Sequence, residues 1–257
     1  FAKTSKISFF QTENINKEAE FISKLKAEKI DAFIVLAFAQ FLGTEVLELP
    51  KLWCFNIHTS LLPKYRGAAP IQYALLNGDE STGVSIQKMV KKMDAGDLVH
   101  GDPVNIHPEE TGGLLYTKLK YQAALSLDKF LINLYNDEII YTPQDEKDVS
   151  FAPTLKRDDG YLKFQDESFK EIKNRVRGLF PWPGTFCYLG KKRLKVFEVE
   201  KSDTSLKPGE VSIKQGYLLI GTKDSTIRLS KIQLEGKKAC SDIELINGLK
   251  GDIQINP

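Results

Sequence analysis

The chain is poor in the residues that would make it disulfide-stapled, metal-clustered or membrane-spanning. Only three cysteines occur in 257 residues, Cys54, Cys187 and Cys240. They are odd in number and far apart, and no CxxC pair exists. Neither a disulfide framework nor a cysteine-rich zinc site is supported, and a reducing cytoplasm is the expected setting. Long apolar runs are missing too. The longest, DAFIVLAFAQFLG, is broken by Gln40 and too short to cross a bilayer as a helix. No GxGxxG is present, so a nicotinamide dehydrogenase finds no support. His100 and His107 lie seven apart on a polar stretch and read as surface residues, which leaves no zinc-hydrolase spacing. Methionine is scarce, with Met89 and Met93 alone, and the chain opens on Phe1 rather than on a start methionine. FAKTSKISFF is not a secretory signal, because no apolar stretch precedes a small-residue cleavage site.

What is present is ordinary globular material, with 42% hydrophobic and 27% charged residues, which excludes a disordered or collagen-like chain. The length suits one large domain or two smaller ones. Charge favours two: residues 1–156 hold 17 Lys+Arg against 20 Asp+Glu, and residues 157–257 hold 19 against 14. The basic second part is able to meet a polyanion, although a Lys-rich solvated surface explains the same excess.

Between residues 7 and about 135, strand and helix signals alternate. ISFF reads as a short apolar strand. NKEAEFISKLKAEKI reads as a helix with Phe21, Ile22, Leu25 and Ile30 near one face. DAFIVLAF reads as a strand buried on both faces. TEVLEL reads as a short helix and LWCFNI as a strand. PIQYALLNG is a helix with Pro70 in its first turn and Gly78 at its end. STGVSIQKMV and DLVHGDPVNI follow as strands, then a long amphipathic helix over TGGLLYTKLKYQAALSLDKFLINLYND. This rhythm predicts an α/β architecture with a mostly parallel, doubly wound sheet over residues 1–140. Residues 141–157 lack periodicity and read as a linker. In residues 158–257 a helix (SFKEIKNRVRGL) leads into short strands, TFCYL, RLKVFEVE, GEVSI, GYLLIG and STIRLSKIQL, the pattern of a small β-barrel or sandwich.

In a doubly wound sheet, sites form beyond the carboxyl ends of strands. LWCFNI ends in Asn56-Ile57-His58, and strand alternation sets Asn56 and His58 on one face. An amide that donates to an oxyanion beside an imidazole that handles a proton is a workable catalytic pair. Asp94, in MDAGD after the strand VSIQKMV, is placed to orient the imidazole. On pattern alone each residue also fits a plainer role: His58 satisfied in the core, Asn56 bonded to a turn, Asp94 in a loop beside Gly96.

The ordered run FNIHTSLLPKYRGAAPIQYALLNGDESTGVSIQKMVKKMDAGDLV resembles the formyltransferase family that uses 10-formyltetrahydrofolate. Asn-x-His-x-Ser-Leu-Leu-Pro stands at Asn56 to Pro63, RGAAPIQ at Arg66 to Gln72, and Asp94 falls 36 residues after His58, as the family's aspartate does. FPWPGTFCYLGKKRLKVFEVE and GKKACSDIELINGL are similar to the family's C-terminal domain, with Cys240 where Met is common. The tail and the basic second half point to the branch acting on methionyl-tRNA. A sugar-nucleotide amine formyltransferase, or an inactive folate- or RNA-binding relative, stands as the alternative.

The resemblance implies a Rossmann-like formyltransferase domain and an OB-like β-barrel that binds tRNA. It implies Asn56, His58 and Asp94 as catalytic residues acting through a tetrahedral intermediate, with a folate cleft lined by Gln40, Phe41, Leu42, Ser60, Leu61, Leu62, Pro63, Met93 and Ala95. Core packing explains Phe41 and Leu42 equally well. Arg66 would meet the aminoacyl end or the folate glutamate, and a structural arginine ahead of the helix fits it equally. Lys191, Lys192, Arg193 and Lys195 in a hairpin, with Lys237 and Lys238 in a second loop, would meet phosphates. The partners implied are initiator methionyl-tRNA and the folate donor, with no metal, no membrane and a monomeric enzyme. Family members carry a further N-terminal strand-helix-strand, so the match begins part-way into their first domain.

Overall fold

The computed structural model describes residues 2–248 and the short strand at 255–256; the outermost ends of the two expected units, residue 1 and residues 249–254 and 257, lie outside the described residues. The N-terminal part runs α1 (Ala19–Ala27), β1 (Ala32–Val35), α2 (Thr44–Leu47), β2 (Trp53–His58), α3 (Pro70–Leu76), β3 (Ser81–Lys88), β4 (Leu98–Asn105) and α4 (Gly112–Tyr135). The C-terminal part runs α5 (Phe169–Gly178), β5 (Thr185–Leu189), β6 (Lys192–Ser202), β7 (Val211–Lys214), β8 (Tyr217–Gly221), β9 (Thr226–Leu234), β10 (Cys240–Ser241), α6 (Asp242–Gly248) and β11 (Ile255–Asn256).

The first sheet has the order β1-β2-β3-β4. It is mixed rather than mostly parallel: β1 and β2 are parallel, while β2–β3 and β3–β4 are antiparallel. Only residues 89–97 separate β3 from β4, too few for the crossover of a dozen or more residues that a parallel pair needs. Along β2 and β3 the alternation is clean. Phe55, Ile57, Val84 and Ile86 face a core closed by α3 and α4, where Leu115, Leu119, Ala123, Ser126 and Phe130 form a buried stripe. The opposite face carries Asn56, His58, Ser85 and Gln87, with Asn56 opposite Gln87 and His58 opposite Ser85. That polar face is where the site lies.

Two expectations fail in the N-terminal segment. ISFF forms no strand; Ile7, Phe9 and Phe10 are exposed, and Phe10 stacks on Phe21 at 3.9 Å. Four apolar residues do not make a strand without a ladder partner. The DAFIVLAF strand is shorter than expected and has no buried residue, because β1 is the edge of the described sheet and has one neighbour. The chain leaves it through Ala37 and Ala39, both at positive φ.

Residues 141–157 are not a free tether. Leu98 and Thr142 exchange backbone hydrogen bonds, the Ser150 carbonyl accepts from the Arg66 amide, and Ala152 both donates to the Arg66 carbonyl and accepts from Ala69. Helix α5 then begins with a reciprocal cap between Ser168 and Glu171. The C-terminal strands pair antiparallel in the order β11-β5-β6-β9-β8-β7, with β10 on β9. Register shifts in β6 near Glu198 bend that long strand and curl the sheet around Leu194, Val196, Leu218, Ile220, Ile227 and Leu229. Helices α5 and α6 contribute Ile172, Val176 and Leu245 to that core. No ladder joins β7 to β11 among the described residues.

Candidate active site

Three side chains at the end of β2 and in the β3–β4 loop converge. Asn56 Nδ2 donates to Asp94 Oδ1 at 3.4 Å, and His58 Nδ1 stands 3.8 Å from Asp94 Oδ2. His58 Nε2 lies 2.8 Å from the Tyr65 carbonyl oxygen. A carbonyl only accepts, so the proton of neutral His58 sits on Nε2 and the Nδ1 lone pair faces the Asp94 side. His58 is buried, and its ring is aimed by backbone rather than by Asp94. Its Nδ1 is left to take a proton, on the side where Asp94 Oδ2 stands.

Asp94 is itself held on both oxygens. Oδ2 accepts from the Gly67 amide at 2.9 Å, and Oδ1 accepts from Gln87 Nε2 at 2.9 Å. Its backbone sits at φ 50, in the left-handed region that aspartate enters more readily than most non-glycine residues. Gly96 is needed two residues on: a Cβ there would stand 1.7 Å from the Lys88 carbonyl oxygen. Its amide donates to Gln87 Oε1 at 3.2 Å.

The turn after His58 is locked to β3. Ser85 Oγ donates to the Ser60 carbonyl and accepts from the Leu62 amide, while Ser60 Oγ donates to Lys64 O. Leu61 and Pro63 are half-buried beside this turn, and Leu62 is buried. Tyr65, at φ 62, is anchored by its hydroxyl, which donates to Asp79 and accepts from Asn77. Burial, with Asp79 adding to it against the Asn77 bond, pushes its phenol up to about 12, so it stays protonated.

The remaining expected contacts scatter. Gln40 turns to the N-terminal segment, where its amide accepts from the Ile15 amide and donates to the Thr12 carbonyl. Leu42 packs in a small core with Ile15, Ile22 and Val46. Phe41 and Met93 are exposed, and Ala95 is half-buried. Arg66 is 1% exposed and spends its guanidinium on Gln144 and Glu146. In the hairpin, Lys191, Lys192 and Lys195 are exposed and make no ion pair among the described residues. Arg193 lies over the Phe186 ring at 3.8 Å. No group of three His, Cys, Asp or Glu able to hold a metal occurs among the described residues.

Sequence reasoning missed Gln87, Gln144, the Tyr65 carbonyl and the Gly67 amide. Gln87 left a signal, since Ser85 and Gln87 alternate with apolar residues in a strand next to Asn56 and His58. The other three left none; their roles come from loop geometry.

The family model for Formyl transferase matches residues 3–128, and that for Formyl transferase, C-terminal domain, matches residues 154–250. The chain is 38% identical to the methionyl-tRNA formyltransferase of Natranaerobius thermophilus, covering 97% of this chain and 82% of the relative. It is 37% identical to that of Malacoplasma penetrans, covering 94% and 76%. Its fold is similar to an N-formyltransferase from Helicobacter canadensis solved with folinic acid and dTDP-3-aminofucose, at a TM-score of 0.66 and 18% identity over 89% of this chain and 80% of that one. With both halves matched and such relatives along nearly its whole length, the chain belongs to the formyl transferase family.

Proposed function

We propose that this chain is an enzyme that transfers the formyl group of 10-formyltetrahydrofolate to the α-amine of initiator methionyl-tRNA. The observation that carries the reading is the convergence of Asn56, His58 and Asp94 on one polar sheet face, in a chain of this family. Asn56 Nδ2 donates to the oxygen that gains charge as the amine adds to the formyl carbon; loss of such a donor typically costs ~10²–10³ in rate. His58 Nδ1 takes the proton released by the attacking amine, and the leaving folate nitrogen receives one in return. This relay runs through His58 and, by way of water, Asp94, and is worth roughly 10²–10⁴. The oxyanion donor and the proton carriers of this scheme are side chains of the protein. The curled C-terminal sheet with its basic hairpin at Lys191, Lys192, Arg193 and Lys195 grips the tRNA phosphates. The enzyme works as a monomer in the cytoplasm. No helix among the described residues is long and apolar enough to cross a membrane.

The sequence similarity favours tRNA over an amino sugar: relatives at 37–38% identity carry the tRNA name, while the sugar-linked neighbour shares 18%. The test is transfer from 10-formyltetrahydrofolate to methionyl-tRNA, measured for the parent and for His58→Ala. A fall of ~10²-fold or more in kcat with the fold intact is expected. Transfer to a dTDP-amino sugar but not to methionyl-tRNA would reassign the substrate.

A further inference from the structure

Arg66 is buried as a charge, and among the described residues every partner of its guanidinium comes from residues 144–146. Nε and Nη2 donate to Gln144 Oε1 at 3.0 and 2.9 Å, and Nη1 donates to Glu146 Oε1 at 3.0 Å. Glu146 also meets Lys92 at 2.9 Å. Hydrogen bonds from Lys92 and Arg66 hold the Glu146 carboxyl below its usual range. A buried guanidinium must be paired to persist, and each of the three nitrogens of this one donates within the protein.

That engagement fixes the Gln144 amide. A guanidinium only donates, so Gln144 must turn its oxygen to Arg66 and its NH₂ the other way. There the NH₂ finds two carbonyl oxygens of the β3–β4 loop, Asp94 O at 2.9 Å and Gly96 O at 2.7 Å. The flipped amide would face donor with donor and acceptor with acceptor. These two carbonyls flank the bend in which Asp94 takes its left-handed conformation. Gln87 and Gly67 hold the carboxylate of Asp94, and Gln144 holds its backbone.

We propose that Gln144, locked by Arg66, is a positioning residue that sets the Asp94 loop and so the aim of the Asp94 carboxylate at His58. It touches neither substrate. It acts through Asp94, and it makes Arg66 part of the same device rather than a substrate contact. This rests on the transfer reaction proposed above.

The test uses the full chain with Gln144→Glu. Glutamate keeps an oxygen for Arg66, so the buried charge stays paired, but it cannot donate to the two carbonyls. The expected result is a folded protein whose kcat falls ~10–100-fold, the scale of a misplaced catalytic group, while KM for folate and for tRNA stays within about twofold. Hydrogen–deuterium exchange of residues 94–97, measured without substrate, should rise. Arg66→Lys, which cannot give the same oxygen two bonds, should lower kcat similarly. The double variant should be little worse than either single one, because both break one chain of hydrogen bonds. Exchange at 94–97 equal to the parent's, or a kcat within about threefold of the parent's, would overturn the proposal. A parent protein that transfers no formyl group would instead sink the transfer reading, and the exchange comparison would still decide whether Gln144 sets the loop.

Discussion

Among the described residues, the part before residue 140 places seven non-glycine residues at positive φ, Lys6, Lys29, Ala37, Ala39, Tyr65, Asp94 and Asp137, beside two glycines. The part after residue 158 places one, Gln215, beside five glycines. Buried polarity divides in the same way. The first sheet buries His58, Ser60, Arg66, Ser85 and Gln87 around one loop. The second core is apolar apart from scattered threonines and Asn174, and it contains the fully buried carboxylate of Asp242, paired with half-buried Arg228. That pair is closed: Arg228 meets both oxygens of Asp242 at 2.8 and 2.9 Å, and Asp242 also accepts from the Leu218 amide. Two of the seven, Tyr65 and Asp94, stand among these buried polar groups where chemistry is proposed; the other five lie in turns and loops elsewhere. Where the fold has only to present a surface, its positive-φ turns use mostly glycine. Tyr65 and Asp94 cannot be relaxed to glycine, because one packs its ring and the other presents its carboxylate.

Three changes would sharpen or break this contrast. The largest effect is expected in the second core. Asp242→Ala removes a fully buried carboxylate and leaves Arg228 without its main partner, which should cost about 3 kcal/mol in urea unfolding. A cost below about 1 kcal/mol would mean that the pair is ornamental and the second core no better organised than the first.

Next comes a polar cluster behind the first sheet, between β4 and α4. Asp102 receives hydrogen bonds from His100, Ser126, Gln122 and Lys129. Burial alone would raise its carboxyl, but the bonds from His100, Ser126 and Lys129 outweigh that and hold it far below the ordinary carboxylate range. A carboxyl depressed on folding adds stability above its unfolded value of ~4, and that stability is lost as the pH falls toward the folded value. Asp102→Asn should therefore cost about 2 kcal/mol at pH 7. The gap to the parent should narrow steadily below pH ~4. A gap independent of pH would show that the charge contributes nothing.

The smallest effect is at the surface of the second part. Neutralising Lys191, Lys192 and Lys195 together to Gln should weaken tRNA binding about tenfold at low salt. It should also flatten the log–log salt dependence by about one for each phosphate that the variant no longer neutralises. Stability and kcat should stay unchanged, since these side chains are exposed. A salt slope equal to the parent's would move the tRNA surface elsewhere.

Much of this was legible in the chain. Pro70 and Thr111 mark helix starts, and the spacing of Leu115, Leu119, Ala123 and Phe130 marks the buried face of α4. Asn56 and His58 announced their shared face by alternation, and Asp94 by the resemblance. The antiparallel return of β4 was legible too, in the shortness of the segment after Lys88, but the β-α rhythm outweighed it. The stretch around Gln144 has no period, because its order comes from the surfaces it lies on rather than from its own residues.

The sequence by itself determined most of the elements and the residues available for chemistry, because periodicity, capping and motif spacing are local properties of the chain. Only the tertiary structure decided what those residues meet. It assigned the His58 proton to the nitrogen facing the Tyr65 carbonyl, gave the Gln40 amide to Ile15 and Thr12, and gave Arg66 to Gln144 and Glu146. Hydrogen bonds are short and directional, so a partner 78 residues away, as Gln144 is from Arg66, is chosen by the fold and by nothing in the neighbouring sequence.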